Sequence, residues 1–272
     1  MEKMLKITGT FKEKYAFSVE GVGFNHPGVK SCMDMSRSQD GLLVSDLNAG
    51  KIHLVDEDLA LKMSFNTHGK QVGAVEWGES IFFANPWGKS VYRLSRGTGE
   101  CSALVEGAAL NSPTLLAVDL DGGLYISDQN IIWKFKEGQI RVFGEIPGLY
   151  TRSLVICENG LCIYNGNNHT LYKLDFAGNL VEQLEFSAIF PFQDKFAGFQ
   201  VDPGEGAYYI SVGKRLYKYD RKGDLIFEVN LVNHFKDIGN INKLFLVSSG
   251  KEKVLFLIDT MNVKQVYRCR FR

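Results

Sequence analysis

The chain has 272 residues, 45% of them hydrophobic, with 31 basic and 31 acidic side chains. A chain of this length buries roughly three quarters of its unfolded surface, so it needs neither disulfides nor a structural metal to fold. The balanced charge excludes the broad positive field that non-specific binding to nucleic acid or acidic membrane requires, and so argues against nucleic acid as a partner. The N-terminal stretch MEKMLKITGTFKEKY holds no apolar run of signal-peptide length, and nowhere do 18 apolar residues run together. The reading is a cytoplasmic chain with no membrane span. Five cysteines, an odd count, point to reduced thiols in that compartment. Two of them, Cys157 and Cys162, flank the short turn ENGL and lie near enough in sequence to approach each other.

In chain order, FKEKYAFSVEG (11–21) reads as a lone strand, and six similar units follow. Each unit holds an apolar run ending in a small polar residue: GLLVSD (41–46), SIFFAN (80–85), GLYISD (123–128), GLCIYN (160–165), GAYYIS (206–211) and VLFLID (254–259). Soon after each comes a second run: KIHLVD (51–56), SVYRLS (90–95), IIWKFK (131–136), TLYKLD (170–175), RLYKYD (215–220) and QVYRCR (265–270). The second run alternates with period 2 and carries an aromatic at its third position: Tyr92, Trp133, Tyr172, Tyr217 and Tyr267, with His53 in the first copy. Such alternation in aromatic and branched residues predicts a strand. Successive copies are 39 to 50 residues apart at that position. This is the length of four short antiparallel strands, one blade of a β-propeller.

A strand before each first run ends in a hairpin turn such as LLAVDLDGG or SLVICENG, where Gly and Asn accept positive φ. A fourth strand follows the second run in five units, as in LALKMSF and LVEQLEF. The sixth unit lacks one, and residues 11–20 are expected to supply it by pairing with QVYRCR. The predicted architecture is therefore all-β: a six-bladed propeller with four antiparallel strands per blade, closed by the N-terminal strand. It forms a single domain over 1–272, with blades at about 30–66, 71–106, 113–146, 152–187, 196–231 and 242–272 plus 11–20.

The copy NSPTLLAVDLDGGLYISDQNIIWKF (111–135), with its DG-x-[LIV]-aromatic-x-[SA]-D core and following [IVL]-aromatic-[KR] strand, resembles the NHL-repeat propellers. The resemblance runs over essentially the whole chain. It implies a superfamily that also includes SMP-30/gluconolactonase and strictosidine-synthase-like proteins, along with peptide- and RNA-binding scaffolds. Fold alone does not choose among them. The sugar-lactone hydrolases of that superfamily hold a divalent metal with a Glu, two Asn and an Asp from channel-lining strands. Here Glu20-Gly21 is the one faint match, and the inner strands show no corresponding Asn-Asn-Asp set.

Loops from a fourth strand to the next first strand share one face with the second-to-third-strand loops. Four of the former carry a related motif: FNHPG (24–28), FNTHGK (65–70), LNSPT (110–114) and VNHFK (232–236). Their Asn25, Asn66, Asn111 and Asn233 read as turn residues. The polar ends of the first runs (Asp46, Asn85, Asp128, Asn165, Ser211 and Asp259) read as hydrogen-bonding the next turn. His53 is expected in the core, whereas His26, His68, His169 and His234 fall in loops of this face. His234, His26 and His68 lie on consecutive loops around the closed ring. They are the candidate catalytic bases or metal ligands, with Asp194 or Asp237 nearby, for zinc, calcium or manganese.

Five cations begin first strands: Lys30, Lys70, Arg152, Lys195 and Lys243. Ringing a channel mouth, they would favour a carboxylate, a phosphate or an acidic peptide. Aromatic residues gather in the same loops: Phe24, Trp87, Tyr150, Phe190, Phe192 and Phe235. An exposed aromatic cluster marks a binding surface. No G-x-S-x-G elbow, H-E-x-x-H, P-loop or paired C-x-x-C is present.

The function expected is a binding module that takes a peptide, a protein or a small anionic ligand. Its site would be Lys30, Trp87, Arg152, Phe190, Phe192, Lys195 and Lys243. The alternative is a metal-assisted hydrolase or lactonase-like enzyme using the same mouth.

Overall fold

The structure is a computed structural model that describes residues 3–6, 16–21, 24, 26–67, 69–107, 109–186, 197–233, 238–249, 252–260 and 266–271. Two strands come first, β1 (Lys3–Lys6) and β2 (Ala16–Gly21). Blade 1 holds β3 (Asp34–Ser38), β4 (Gly41–Asp46), β5 (Lys51–Val55) and β6 (Leu61–Asn66). Blade 2 holds β7 (Gly73–Trp77), β8 (Ser80–Asn85), β9 (Ser90–Ser95) and β10 (Cys101–Val105). Blade 3 holds β11 (Pro113–Val118), β12 (Leu124–Asp128), β13 (Ile131–Lys136) and β14 (Gln139–Glu145). Blade 4 holds β15 (Thr151–Cys157), β16 (Gly160–Asn165), β17 (Thr170–Asp175) and β18 (Leu180–Glu185). Blade 5 holds β19 (Ala197–Asp202), β20 (Ala207–Val212), β21 (Arg215–Tyr219) and β22 (Leu225–Asn230). Blade 6 holds β23 (Lys243–Ser249), β24 (Glu252–Ile258) and β25 (Val266–Phe271).

Every pairing within a blade is antiparallel and follows chain order. The first strands stand side by side around the ring: β3 by β7, β7 by β11, β11 by β15, β15 by β19, β19 by β23, and β23 back against β3. The result is a six-bladed β-propeller around a central channel. Second strands are covered on both sides, and β4, β16 and β20 are buried along their whole length. This is why their sequences run apolar without alternating. The core lies between neighbouring blades, as where Leu43, Ile52 and Phe65 meet Ala74, Ile81 and Phe83.

The cation after the strand-three aromatic has a structural task. In blade 3 Lys134 Nζ reaches Asp119 at 3.1 Å, and in blade 5 Lys218 Nζ reaches Glu205 at 2.6 Å. In blade 2 Arg93 Nε donates to Ser80 Oγ at 2.8 Å. Each contact ties the third strand to the first hairpin of its own blade.

The ring closes as the sequence predicts. β2 pairs antiparallel with β25, with Phe17 opposite Phe271 and Val19 opposite Cys269. β1 then adds outside β2, so this sheet has five strands, one more than the sequence reading assigned. The cysteine reading is corrected. Cys157 and Cys162 form a disulfide, with Cα atoms 6.2 Å apart, while Cys32, Cys101 and Cys269 are free. The hairpin register explains the pairing: Val155 faces Cys162 and Cys157 faces Gly160, so the two sulfurs project diagonally on one side of the sheet. No helix among the described residues is long and apolar enough to cross a membrane.

Candidate functional site

The face of the ring that carries the interblade loops is built on the polar residues ending the second strands. Asp46 accepts from the backbone N–H of Lys30 at 2.5 Å and of Ala49 at 2.9 Å. Asp128 accepts from the N–H groups of Asn111 (2.8 Å) and Ser112 (2.6 Å). Asn165 accepts from Tyr150 and Asn167, each at 3.0 Å. Asn85 accepts from Gly88 at 2.9 Å, and Ser211 from Gly198 at 3.2 Å. In three blades, then, this side chain clamps the incoming interblade loop, beyond the turn that follows it. These three loops are thereby tied to the second strands beside the channel mouth.

Within that mouth lies a cavity of about 380 Å³. Its apolar walls are Met33, Val72, Leu115 and Leu149, and its polar groups include Ser112, Thr114, Ser127, Gln129, Thr151 and Thr260. Tyr150, Arg152 and Lys243 complete the lining. A second cavity of about 340 Å³ continues down the channel, and Lys243 lines both. Lys243 Nζ pairs with Asp34 Oδ1 at 2.7 Å, each side chain only 12% exposed. The pair joins the first strands of blades 6 and 1, the two units that meet at ring closure. Arg152 stretches from blade 4 to donate through Nη2 to the Asn242 carbonyl at 2.8 Å and through Nε to the Ala197 carbonyl at 3.2 Å. Its guanidinium also lies 5.7 Å from the Tyr150 ring centre. Both cations thus brace the ring while facing the cavity.

The other candidates from the sequence are placed differently. Lys30 is exposed and outside the cavity lining. Lys70 sits over the Trp87 ring at 5.7 Å, and Trp87 is 61% exposed, so these two form a patch of their own. Phe24 packs on the core between blades 1 and 6. His26 is exposed, and its Nδ1 accepts from Gly28 N at 3.0 Å, inside a turn closed by Val29 N to His26 O at 3.1 Å. His169 departs from the loop-surface expectation. It is buried, with Nδ1 3.0 Å from the Tyr164 hydroxyl, which accounts for it as a packed turn residue. Asn25, His68, Phe190, Phe192, Asp194, Lys195, His234, Phe235 and Asp237 lie outside the described residues. Among the described residues no three His, Cys, Asp or Glu side chains are grouped to hold a metal. Sequence reasoning missed Asp34, Gln129 and Thr260, which single short polar letters in strand-end positions do not distinguish. Gln129 alone carries a local mark, a left-handed φ of 55° in the turn after β12.

No family model matches the chain, and no curated protein matches it. Solved structures do. A gluconolactonase from Xanthomonas campestris superposes with a TM-score of 0.68 at 15% identity, over 98% of this chain and 94% of that one. A streptogramin B lyase gives 0.66 at 14% identity, over 94% and 98%. A chain of a nidogen/laminin complex gives 0.57 at 18% identity, over 79% and 88%. At such identities the likeness is one of architecture, shared by enzymes and by a protein-binding chain alike. Strand order, ring closure and these neighbours together make this chain a six-bladed β-propeller with a walled cavity at its channel mouth.

Proposed function

We propose that the protein is a ligand-binding propeller that holds a small anionic molecule, or the carboxylate of a peptide, in the channel-mouth cavity. The carrying observation is that Arg152 and Lys243 line one cavity of about 380 Å³ whose walls are otherwise uncharged. Pockets of this kind bind small molecules through a few placed polar groups on apolar walls. The Asp34 carboxylate offsets the charge of Lys243. The hydroxyl groups and Gln129 supply neutral hydrogen bonds for the rest of the ligand. Interblade loops already clamped in three blades lower the ordering cost of binding.

The test is a thermal-shift titration with short hydroxy-acids, sugar acids and sugar phosphates beside their neutral amides and alcohols. Saturable stabilisation by the anions alone is expected, about 2.7 kcal/mol at a hundredfold excess over Kd. Arg152→Gln and Lys243→Gln should each weaken it. Equal stabilisation by the neutral analogues, or none by any anion at millimolar concentration, rejects the reading. The enzyme alternative draws support from gluconolactonase and streptogramin B lyase sharing the architecture. Hydrolysis of an aldonolactone that a chelator abolishes would favour it.

A further inference from the structure

The one blade whose third strand lacks an aromatic holds a different arrangement. His53, in the middle of β5, is buried at 1% exposure. Its Nε2 lies 3.2 Å from Asp46 Oδ2, and its Nδ1 lies 2.8 Å from the hydroxyl of Ser64. Ser64 is exposed on β6, the outermost strand of blade 1. The three residues form a chain from a buried carboxylate through a buried imidazole to the hydroxyl of an exposed serine.

The tautomer follows from the partners of Asp46. Burial raises the pKa of this carboxyl, but hydrogen bonds from His53, the Lys30 amide, the Ser31 hydroxyl and the Ala49 amide outweigh it and bring it down to about 2. Asp46 is therefore an acceptor only, so Nε2 carries the imidazole proton. Nδ1 is left as the acceptor, and Ser64 donates to it. This is the order of a Ser-His-Asp triad with the two ring nitrogens exchanged.

A comparison within the molecule separates this arrangement from ordinary blade architecture. In blade 3 the same position is Trp133, whose Nε1–H donates to Asp128 at 3.3 Å. The bond from position three to the end of the second strand is thus a blade feature. The residue opposite it on the fourth strand is not: Ala103, Val142, Gln183 and Glu228 stand there in blades 2 to 5. A serine occupies that rung only opposite the histidine.

We propose that Ser64 is a nucleophile, with His53 as its general base and Asp46 holding and charge-stabilising His53, and that it accepts acyl groups from small activated esters arriving from solvent. Ser64 Oγ forms a bond to the acyl carbon as its proton passes to His53 Nδ1. The bond from that carbon to the leaving oxygen breaks, and the departing alkoxide or phenoxide takes the proton from His53. Water then releases the acid by the reverse proton path. The site lies on the rim of blade 1 and is independent of the channel-mouth reading.

The test is labelling of the native protein with an alkyl fluorophosphonate and with p-nitrophenyl acetate, read by peptide mapping. With the fluorophosphonate the Ser64 oxygen displaces fluoride at phosphorus. Ser64 should label about a hundredfold faster than Ser102, an exposed serine on outer strand β10 that faces Arg93. His53→Trp recreates the blade 3 hydrogen bond without a base and should lose that advantage while remaining folded. His53→Gln, which keeps an N–H donor for Asp46, is the second such variant. No adduct on Ser64 in the native protein, labelling no faster than at Ser102, or equal labelling in either folded His53 variant overturns the proposal.

Discussion

Asp46 is wholly buried and ties the loop entering blade 1 to the third strand of that blade. Its folded pKa of about 2 lies below the unfolded value of about 3.9. A depressed carboxyl stabilises the fold fully above the unfolded pKa, and the contribution is lost as pH falls through the folded one. Asn85 and Asn165 fill the equivalent place in blades 2 and 4, so Asp46→Asn should fold. Urea unfolding at about pH 7 should show this variant less stable by about 2 kcal/mol, and the gap should close between about pH 4 and pH 2. A gap that does not vary with pH contradicts the assignment. At this scale the sequence is an incomplete guide. Arg152 and Lys243 are visible as cations beginning first strands, but Asp34, which neutralises Lys243, stands at the other end of the chain and meets it only through ring closure. The aromatic slot that His53 occupies is legible from the repeat. Its serine partner is not, because the pairing depends on register across a turn.

In blades 1 and 4 the hairpin between first and second strands uses glycine where no other residue fits. Gly160 begins β16 at φ 154°, and a Cβ there would run into the Leu174 carbonyl oxygen. Gly41 stands in the same relation to the Val55 carbonyl in blade 1. The initial glycine of GLLVSD and GLCIYN is therefore a demand of the neighbouring third strand, beyond the turn itself. Gly160→Ala should cost roughly 3 kcal/mol and lower Tm by on the order of 10 °C. Gly97→Ala is the control, since its Cβ would meet nothing within 4 Å, and it should stay within about 0.5 kcal/mol of the native protein. Calorimetry on both variants decides the point. Strands were the most legible level of the structure. Alternation and turn residues are local consequences of a pleated, half-buried chain, so they can be read without knowing the fold. The disulfide was less so, because inferring the compartment from an odd cysteine count overlooked that a hairpin register brings Cys157 and Cys162 together.

The ring is joined where β2 lies along β25, and among the described residues no other strand covers that edge. Deleting residues 1–20 should leave β25 with open backbone groups that template pairing between molecules. The expected result is a Tm lower by more than about 10 °C and oligomers in light scattering. Deleting only residues 1–10 removes β1 and should have a much smaller effect, because β2 still covers β25. Equal behaviour of the two truncations would mean that β2 does not close the ring. Six equivalent units and the missing fourth strand made the closure readable in advance. The cavity was not readable, since its walls come from five blades and its volume depends on how they tilt.

The same junction places a burden on synthesis. β2 is made well before β25, which lies about 245 residues further along the chain. At the usual 5–20 residues per second, the first strand of the joint waits on the order of ten to fifty seconds for the last. Blades 1 to 5 have their own strands in chain order and can form during that interval. An unpaired edge strand persists throughout, so the nascent chain is exposed to misassociation until β25 has been made.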